Sequence, residues 1–278
     1  MKPIVIIKQE SNNRRSLASY IHVSMDFACM CELQDKLGFI DMREPNSTPI
    51  YYDKYKFLEI PNMWNWYFTQ PMINIELLEI DNYPTYLCSD SIVAPSDCVS
   101  VGPNNELRSI FYKKYLHFNQ DVINQCNQLL KKYKLDLSNT ISITFRGTDK
   151  WVEAPPCPIE KYFSTIDTLI EKFPSMKIFV SGDEWESVNS IKLRYPNVIT
   201  IDEFFLPPKQ PAMIDHINQN RGYYKGLQCV LLILILSTSK FLIGNTSNIF
   251  HISRLLSNSK VYYMHNNEKP TVYDNIGS

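Results

Sequence analysis

The chain has 278 residues, and its 28 Lys and Arg are balanced by 29 Asp and Glu. This near-neutral charge excludes the broad basic surface that binding to nucleic acid or to an anionic membrane requires. The seven cysteines are odd in number and scattered, with no C-x-x-C pair, so we expect reduced thiols, no zinc site and a cytoplasmic location. The amino terminus lacks the long apolar core and the cleavage site of a secretory signal, and we interpret it as the first strand.

The first half of the chain mixes strands and helices. Hydrophobic periodicity predicts, in chain order, strand 4–7, helix 18–37, strand 38–42, an aromatic cluster at 62–71, helix 105–116 and helix 119–133. The polar residues 134–139 predict a linker. We therefore divide the chain into two lobes, residues 1–138 and residues 139–278.

The second half alternates strictly between strand and helix. The predicted elements are strand 141–145, helix 158–172, strand 177–181, helix 184–194, strand 198–201, helix 222–236, strand 241–243, helix 247–257 and strand 260–263. The apolar run CVLLILIL at 229–236 is much shorter than the ~20 residues of a membrane span, so we predict a buried helix there and no transmembrane segment. Such alternation is typical of an α/β fold with a doubly wound parallel sheet.

The strand at 141–145 leads directly into a cation. Apolar residues alternate from Ile141 to Phe145, which predicts Arg146 at the carboxyl end of the strand, where open α/β sheets bind ligands. Gly147 lets the backbone turn there. The guanidinium of Arg146 can hold two phosphate oxygens and Lys150 adds a second cation, so the two could neutralise a diphosphate. A solvated turn with a charged tip is the alternative for so short a motif.

Five segments, taken in order, resemble one enzyme family. They are GFID at 38–41, NMWNWYFTQP at 62–71, RGTDK at 146–150 followed by Glu153 and PIEKY at 158–162, SGDE at 181–184, and STSKFL with TSN between 237 and 248. The chain resembles a small bacterial or viral member of the GT-B fucosyltransferase superfamily, which includes the core α1,6-fucosyltransferases, the nodulation fucosyltransferases and the protein O-fucosyltransferases. The segments span nearly the whole chain.

The resemblance implies a GT-B fold, with two Rossmann-like lobes that contain doubly wound parallel sheets. Residues 139–278 would bind the nucleotide sugar, and residues 1–138 would face the acceptor, a glycan or a lipid-linked saccharide. The implied reaction is an inverting, metal-independent transfer, with L-fucose from GDP-fucose as the first choice of donor and with no cofactor. We find no persuasive D-x-D metal motif, since Glu79-Ile80-Asp81 is interpreted as a strand end that faces solvent.

The resemblance also implies the site residues. Fixed cations stabilise a leaving diphosphate, which suits Arg146 and Lys150, and a carboxylate beside them can take the proton of the acceptor hydroxyl, which suits Glu153. The implied donor-binding residues are Arg146, Gly147, Asp149, Lys150, Tyr162, Asp183, Glu184, Thr246, Ser247 and Asn248.

Several of these residues have a structural alternative. Asp149 could cap its turn or pair with Lys150. Asp183 and Glu184 are acids at the start of a predicted helix, where they could serve only to offset the helix dipole. Ser247 and Asn248 begin a helix after a strand, which suits both a helix cap and a phosphate site. Tyr162, Trp64 and Trp66 are most simply core aromatics, and the five histidines are interpreted as surface or packing residues.

Two positions depart from the family pattern. Thr144 replaces a His and Leu232 replaces an Asp, the two residues that contact guanine in the relatives. The phosphate-binding residues are kept, so a UDP or dTDP deoxysugar is the alternative donor. A non-catalytic GT-B homologue that binds a nucleotide or a glycan is a second alternative. A different doubly wound enzyme, such as a phosphate-ester hydrolase, is a third, although neither G-x-S-x-G nor a Walker-type loop is present.

Overall fold

The computed structural model describes residues 2–9, 17–43, 54–60, 62–70, 83–88, 105–146, 157–183, 185–204, 222–266 and 268–274. The chain forms two compact units. The first comprises Met1–Ile123 and His216–Val230, and the second comprises Asn124–Asp215 and Leu231–Ser278.

The first unit contains a parallel sheet. Its elements are β1 (Ile4–Gln9), α1 (Leu17–Leu33), β2 (Leu37–Asp41), α2 (Lys54–Glu59), β3 (Phe68–Thr69), β4 (Thr85–Cys88), α3 (Asn105–Tyr115), β5 (His117–Phe118) and the start of α4 (Gln120–Tyr133). The strand order is β2-β1-β4, with both pairs parallel, and β3 and β5 form a separate antiparallel pair. The predicted helix 18–37 ends early because Asp35 turns the chain with φ 55°, a left-handed conformation that stops a helix.

The open edge of β2 is closed by two amide side chains. The Asn62 side chain donates to the Ile40 carbonyl at 2.9 Å and accepts from the Met42 amide at 3.0 Å. Gln70 accepts from the Ile40 amide at 2.9 Å and donates to the Ile40 carbonyl at 3.0 Å. Backbone groups on a sheet edge need partners when they are buried, so these two residues of the 62–71 segment have a structural task.

A buried polar network joins α1 to α3. The Nε of Arg108 donates to the Asp26 carboxylate at 3.2 Å, and the Tyr112 hydroxyl reaches the same oxygen at 3.3 Å. The Nε2 of His22 lies 3.1 Å from an Arg108 nitrogen. Because a guanidinium only donates, Nε2 is the acceptor and the imidazole proton is on Nδ1, which faces the Tyr112 hydroxyl at 3.2 Å.

The second unit contains the larger sheet. Its elements are the rest of α4, β6 (Thr140–Phe145), α5 (Ile159–Lys172), β7 (Lys177–Gly182), α6 (Trp185–Arg194), β8 (Val198–Ile199), the end of α7 (Gly222–Thr238), β9 (Phe241–Gly244), α8 (Asn248–Leu256), β10 (Lys260–Tyr263) and β11 (Thr271–Tyr273). The predicted alternation is therefore present. β8 is shorter than the predicted strand 198–201, and β11 was not predicted.

The strand order of this sheet is β11-β10-β9-β6-β7-β8. All pairs are parallel except β10 with the edge strand β11. The chain builds outward from β6 through β7 to β8, and then crosses to the other side of β6 to add β9 and β10. Connections therefore leave β6 and β9 in opposite directions at their carboxyl ends, which is the topological switch point where doubly wound sheets bind ligands.

Both faces of β6 are buried, as expected for the central strand of a parallel sheet. On one face, Ile141, Ile143 and Phe145 belong to a hydrophobic core cluster of this unit. On the other face, the hydroxyl of Ser142 pairs with that of Ser239 at 2.5 Å. The apolar run 229–236 lies inside α7, as predicted. Within the described parts of the chain, no helix is long and apolar enough to cross a membrane.

Gly244 is the last residue of β9, and the atoms around its Cα leave no room for a side chain. A Cβ on this residue would lie 2.3 Å from Cδ2 of Phe250 and 2.7 Å from Cγ2 of Thr144. Both neighbours are buried, so neither can move without disturbing the core. The glycine therefore allows β9 to lie against β6 and α8 at the carboxyl edge of the sheet.

We expect Gly244→Ala to lower the free energy of unfolding by about 1–3 kcal/mol, the usual cost of overfilling a packed core. Urea unfolding followed by circular dichroism measures it. Leu193→Ala is the control, because Leu193 is 80% exposed and its truncation should change stability by less than about 0.5 kcal/mol. Equal midpoints for Gly244→Ala and the wild type would contradict the packing described for this strand end.

Candidate functional site

Three neighbouring strands of the second unit end together in polar residues. Arg146 follows β6, Asp183 follows β7 and Asn245 follows β9. Because β6 lies between β7 and β9, the arginine has one polar neighbour on each side. The arrangement lies at the switch point of the sheet, where the sequence predicted a cation.

Arg146 forms an ion pair with Asp183. The distance between Nε of Arg146 and Oδ2 of Asp183 is 3.0 Å, and the two side chains are 26% and 12% exposed. The Asp183 amide also lies 3.4 Å from the carbonyl of Phe145, so the two strand ends are joined through the backbone as well. A carboxylate on one edge of the guanidinium fixes its plane, and a partly exposed guanidinium that is held in this way can receive an anion.

Asn245 holds the backbone of Arg146 from the other side. Its Nδ2 donates to the Arg146 carbonyl at 3.1 Å. Its Oδ1 is buried and has no hydrogen-bond partner among the described residues, although the residue as a whole is only 8% exposed. A buried acceptor without a partner costs free energy, which a ligand that donates a hydrogen bond would recover.

The amino terminus of α8 comes next after Asn245. Ser247 caps this helix, because its side-chain oxygen accepts from the amide of Phe250 at 3.1 Å. The hydroxyl of Ser247 therefore serves the helix, as the structural alternative proposed, and Asn248 is the first helical residue. Amides at the start of a helix attract anions, so the cap is compatible with a phosphate beside it. The hydroxyl of Thr246 pairs with that of Tyr263 at the end of β10, at 2.5 Å.

Tyr162 lies in the core beneath this edge. Its ring is fully buried on α5, with its centroid 4.9 Å from that of Phe145. Burial raises the pKa of its phenol well above the ordinary value, so the hydroxyl stays protonated. This hydroxyl has no hydrogen-bond partner among the described residues. The packing role is consistent with these facts, and contact with a donor stays a prediction.

Five of the predicted site residues lie outside the described residues. They are Gly147, Asp149, Lys150, Glu153 and Glu184. The described residues on either side of the segment 147–156 are well anchored, since Arg146 is held by Asn245 and Asp183, and the Cys157 thiol lies 3.4 Å from the carbonyl of His265. Burial raises the pKa of that thiol, so Cys157 serves as a small packing residue.

The two departures from the family pattern are both described. Thr144 is buried in β6, and its methyl group packs against Gly244. Leu232 is half-buried on α7. The sequence analysis missed Asn245 and Tyr263, although the strand order puts both at the ligand edge. The available signal was that Asn245 lies two residues after the predicted strand 241–243 and that Tyr263 is the last residue of the predicted strand 260–263.

No group of three or more His, Cys, Asp or Glu residues that could hold a metal ion occurs within the ranges that the structure describes. Among the described residues, the polar groups gathered at the carboxyl edge include the cation of Arg146, the carboxylate of Asp183, the amide of Asn245 and the hydroxyls of Thr246, Ser247 and Tyr263. This set suits the binding of a polar organic anion by charge and hydrogen bonds.

Comparison with solved structures identifies the fold. No protein-family model matches the chain, and no curated protein matches it in sequence. The NodZ α-1,6-fucosyltransferase co-crystallised with GDP superposes with a TM-score of 0.60 at 11% identity, over 99% of both chains. NodZ from Bradyrhizobium gives 0.59 at 13% identity, again over 99% of both chains. The chain has the fold of the GT-B fucosyltransferases.

A plant enzyme extends this likeness. FUT1 from Arabidopsis thaliana, solved in complex with GDP, matches with a TM-score of 0.59 at 10% identity, over the whole of this chain and 75% of its own. The predicted GT-B fold is therefore confirmed, and the resemblance to the fucosyltransferases holds at the level of the fold. At identities of 10–13% the likeness establishes the architecture alone.

We expect Tyr162→Phe to leave the free energy of unfolding unchanged or to raise it by up to about 1 kcal/mol, because the lost hydroxyl has no described partner. Urea unfolding tests this expectation. Calorimetry with GDP on the same variant separates the two roles of Tyr162. Unchanged affinity favours packing alone, whereas weakened binding with unchanged stability would favour contact with the donor.

Proposed function

We propose that this chain is an inverting, metal-independent glycosyltransferase that moves a sugar from a nucleoside-diphosphate donor to a glycan or lipid-linked saccharide. The observation that carries the proposal is the position of Arg146 at the switch point, with its guanidinium held by Asp183 at 3.0 Å. The fold supports it, because the NodZ structures that superpose on this chain are fucosyltransferases.

The proposed chemistry depends on charge at the leaving group. As the bond between the sugar and the diphosphate breaks, negative charge grows on the phosphate oxygens. A cation already fixed at that position stabilises the transition state more than the ground state. Arg146 suits this role, Lys150 would add a second cation, and the amino terminus of α8 would add its amides. These groups together can replace the divalent metal that other glycosyltransferases use.

The proton of the acceptor hydroxyl needs a base in an inverting transfer. We assign this role to Glu153, and the donor contacts to Gly147, Asp149, Asp183 and Glu184 with the loop after β9. Residues 1–138 are the proposed acceptor lobe and residues 139–278 the proposed donor lobe. No cofactor is needed beyond the donor itself, and the cytoplasmic location remains a prediction from the cysteine pattern.

GDP-fucose is the first choice of donor, since one NodZ crystal was soaked with GDP-fucose and another was co-crystallised with GDP. Thr144 and Leu232 weaken that choice, because a short, buried threonine and an apolar leucine replace the His and the Asp that contact guanine in the relatives. A UDP or dTDP deoxysugar is therefore the competing donor. Thermal unfolding in the presence of GDP, UDP, dTDP and ADP should identify the nucleotide, because a ligand that binds only the folded state raises the apparent Tm.

A non-catalytic nucleotide- or glycan-binding homologue is the second candidate. It would bind a nucleoside diphosphate through the same Arg146 and the same helix terminus. The presence of Glu153 favours the enzyme, because a binding protein has little need of a base. Incubation with the sugar nucleotide and a set of acceptors separates the two, since only the enzyme releases the nucleoside diphosphate with transfer of the sugar.

We expect Arg146→Ala to reduce transfer by about 10²- to 10³-fold, the usual cost of losing one preorganised charge at a developing anion. The measurement is turnover with the donor identified by the thermal screen. Arg194→Ala is the matched control, because Arg194 ends α6 and pairs with Asp167 on the surface at 2.7 Å. Wild-type turnover in a folded Arg146→Ala variant would refute the assignment.

We also expect activity to survive chelation. In the proposed mechanism Arg146, Lys150 and the α8 amides stabilise the diphosphate. We therefore expect ~10 mM EDTA to leave the rate within about twofold of that of the untreated enzyme, because chelation removes none of these groups. The opposite result would be complete loss of activity on chelation and recovery with Mn²⁺ or Mg²⁺. That result would assign the chain to a metal-dependent mechanism.

A further inference from the structure

Tyr263 and His265 form a polar aromatic surface beside the proposed phosphate site. Pairing between β9 and β10 continues past the end of β10, because the Met264 amide donates to the Gly244 carbonyl at 2.8 Å. Side chains two residues apart on an extended chain lie on the same face, so the rings of Tyr263 and His265 are neighbours. Their centroids are 4.6 Å apart in an edge-to-face contact, and both residues are partly exposed.

The two rings are held in place from several sides. The backbone carbonyl of His265 accepts a hydrogen bond from Nζ of Lys161 at 3.0 Å. The imidazole Nε2 of His265 lies 2.7 Å from the hydroxyl of Thr271 in β11. The ring of Tyr263 packs at 5.6 Å from Phe250, the residue that also closes the space around Gly244. Rings that are fixed before a ligand arrives lose little conformational freedom when it binds, which favours a flat partner.

Hydrogen-bonding capacity adjoins these rings. The hydroxyls of Thr246 and Tyr263 share one hydrogen bond, and each carries its own proton, so one O–H donor of the pair is not used between them. No other acceptor for it is found among the described residues. On the same strand end, Oδ1 of Asn245 is a buried acceptor that lacks a donor. The carboxyl ends of β9 and β10 therefore present one donor, one acceptor and an aromatic face.

We propose that Asn245, Thr246, Tyr263 and His265 bind the nucleobase of the donor and set its nucleotide selectivity. The inference rests on the proposed function, which assigns the diphosphate to Arg146 and to the amino terminus of α8. A nucleobase is a flat ring with N–H donors and carbonyl or ring-nitrogen acceptors on its edge, and it matches this set of groups. Thr144 packs against Gly244. We therefore assign polar recognition of the base to the side chains at the ends of β9 and β10 and not to Thr144.

The test compares nucleoside diphosphates with pyrophosphate, which has no base. Calorimetry gives the Kd of GDP, UDP, dTDP, ADP and inorganic pyrophosphate for the wild type, Tyr263→Phe, His265→Ala and Tyr262→Phe. Tyr262 is the matched control, since it is the adjacent tyrosine on the opposite face of β10, where it neighbours Phe241 at 6.4 Å. Urea unfolding verifies that every variant is folded.

We expect Tyr263→Phe and His265→Ala each to raise the Kd of the preferred nucleoside diphosphate by roughly 5- to 10-fold, the effect of one hydrogen bond or one ring contact. We also expect each variant to reduce the differences in Kd among the four nucleoside diphosphates. Pyrophosphate affinity should stay the same, and Tyr262→Phe should match the wild type. Unchanged selectivity in both variants would overturn the inference while leaving the proposed function intact. An equal loss for pyrophosphate would assign these groups to phosphate binding and would also overturn it.

The proposed function has its own distinguishable failure. The diphosphate assignment is wrong if the wild type binds none of the four nucleoside diphosphates, or if Arg146→Ala binds them as tightly as the wild type does. In either case the proposed base site is wrong as well. If Arg146→Ala loses all four nucleotides together with pyrophosphate, and Tyr263→Phe alters only the selectivity, both assignments are supported.

Discussion

The pairing of β6 on both of its edges is the constraint on which the second unit depends. β6 is the first strand of its sheet in the chain and becomes a central strand, with β7 on one side and β9 on the other. The chain must therefore grow outward on one side and return to the other, and two connections diverge at the carboxyl edge. Arg146 occupies the end of the one strand that adjoins both sides. Its neighbours Asp183 and Asn245 are consequences of the same strand order.

The ion pair with Asp183 affects both the charge and the geometry of this edge. A carboxylate reduces the net positive potential that an incoming anion meets, which by itself would weaken attraction. It also fixes the orientation of a long, flexible side chain, so less conformational entropy is lost when a ligand binds. A guanidinium carries five N–H donors in one plane, and the contact of Nε with Asp183 orients that plane. In the proposed role of Arg146, the gain in orientation outweighs the loss of attraction, because the guanidinium would meet a diphosphate in a defined geometry.

Much of the fold could be predicted from the sequence, because buried strands and amphipathic helices impose their periods on it. The bounds of β10 agree with the prediction, and those of α4 and β6 lie within one residue of it. Short elements escaped, because the three residues of β11 follow a proline and give too little periodicity to detect. The network of His22, Asp26, Arg108 and Tyr112 also escaped. Its two i,i+4 pairs can be found in the sequence, but the packing of α1 against α3 that joins them cannot.

The candidate site divides in the same way. The position of Arg146 follows from the local sequence pattern. The pattern places Arg146 at the carboxyl end of a strand, and in a parallel sheet the carboxyl ends of the strands form the ligand edge. Asn245 and Tyr263 become part of the site only because β9 lies beside β6 and β10 lies beside β9, and strand order is not written in any local window. Recognition of phosphate can therefore be inferred from a motif, whereas recognition of a base depends on side chains brought together by tertiary pairing. Chains with 10–13% identity share this scaffold. If the proposed base site is correct, such chains can differ in the nucleotide they select, because a few side chains at the ends of β9 and β10 can change while the pairing of the strands stays the same.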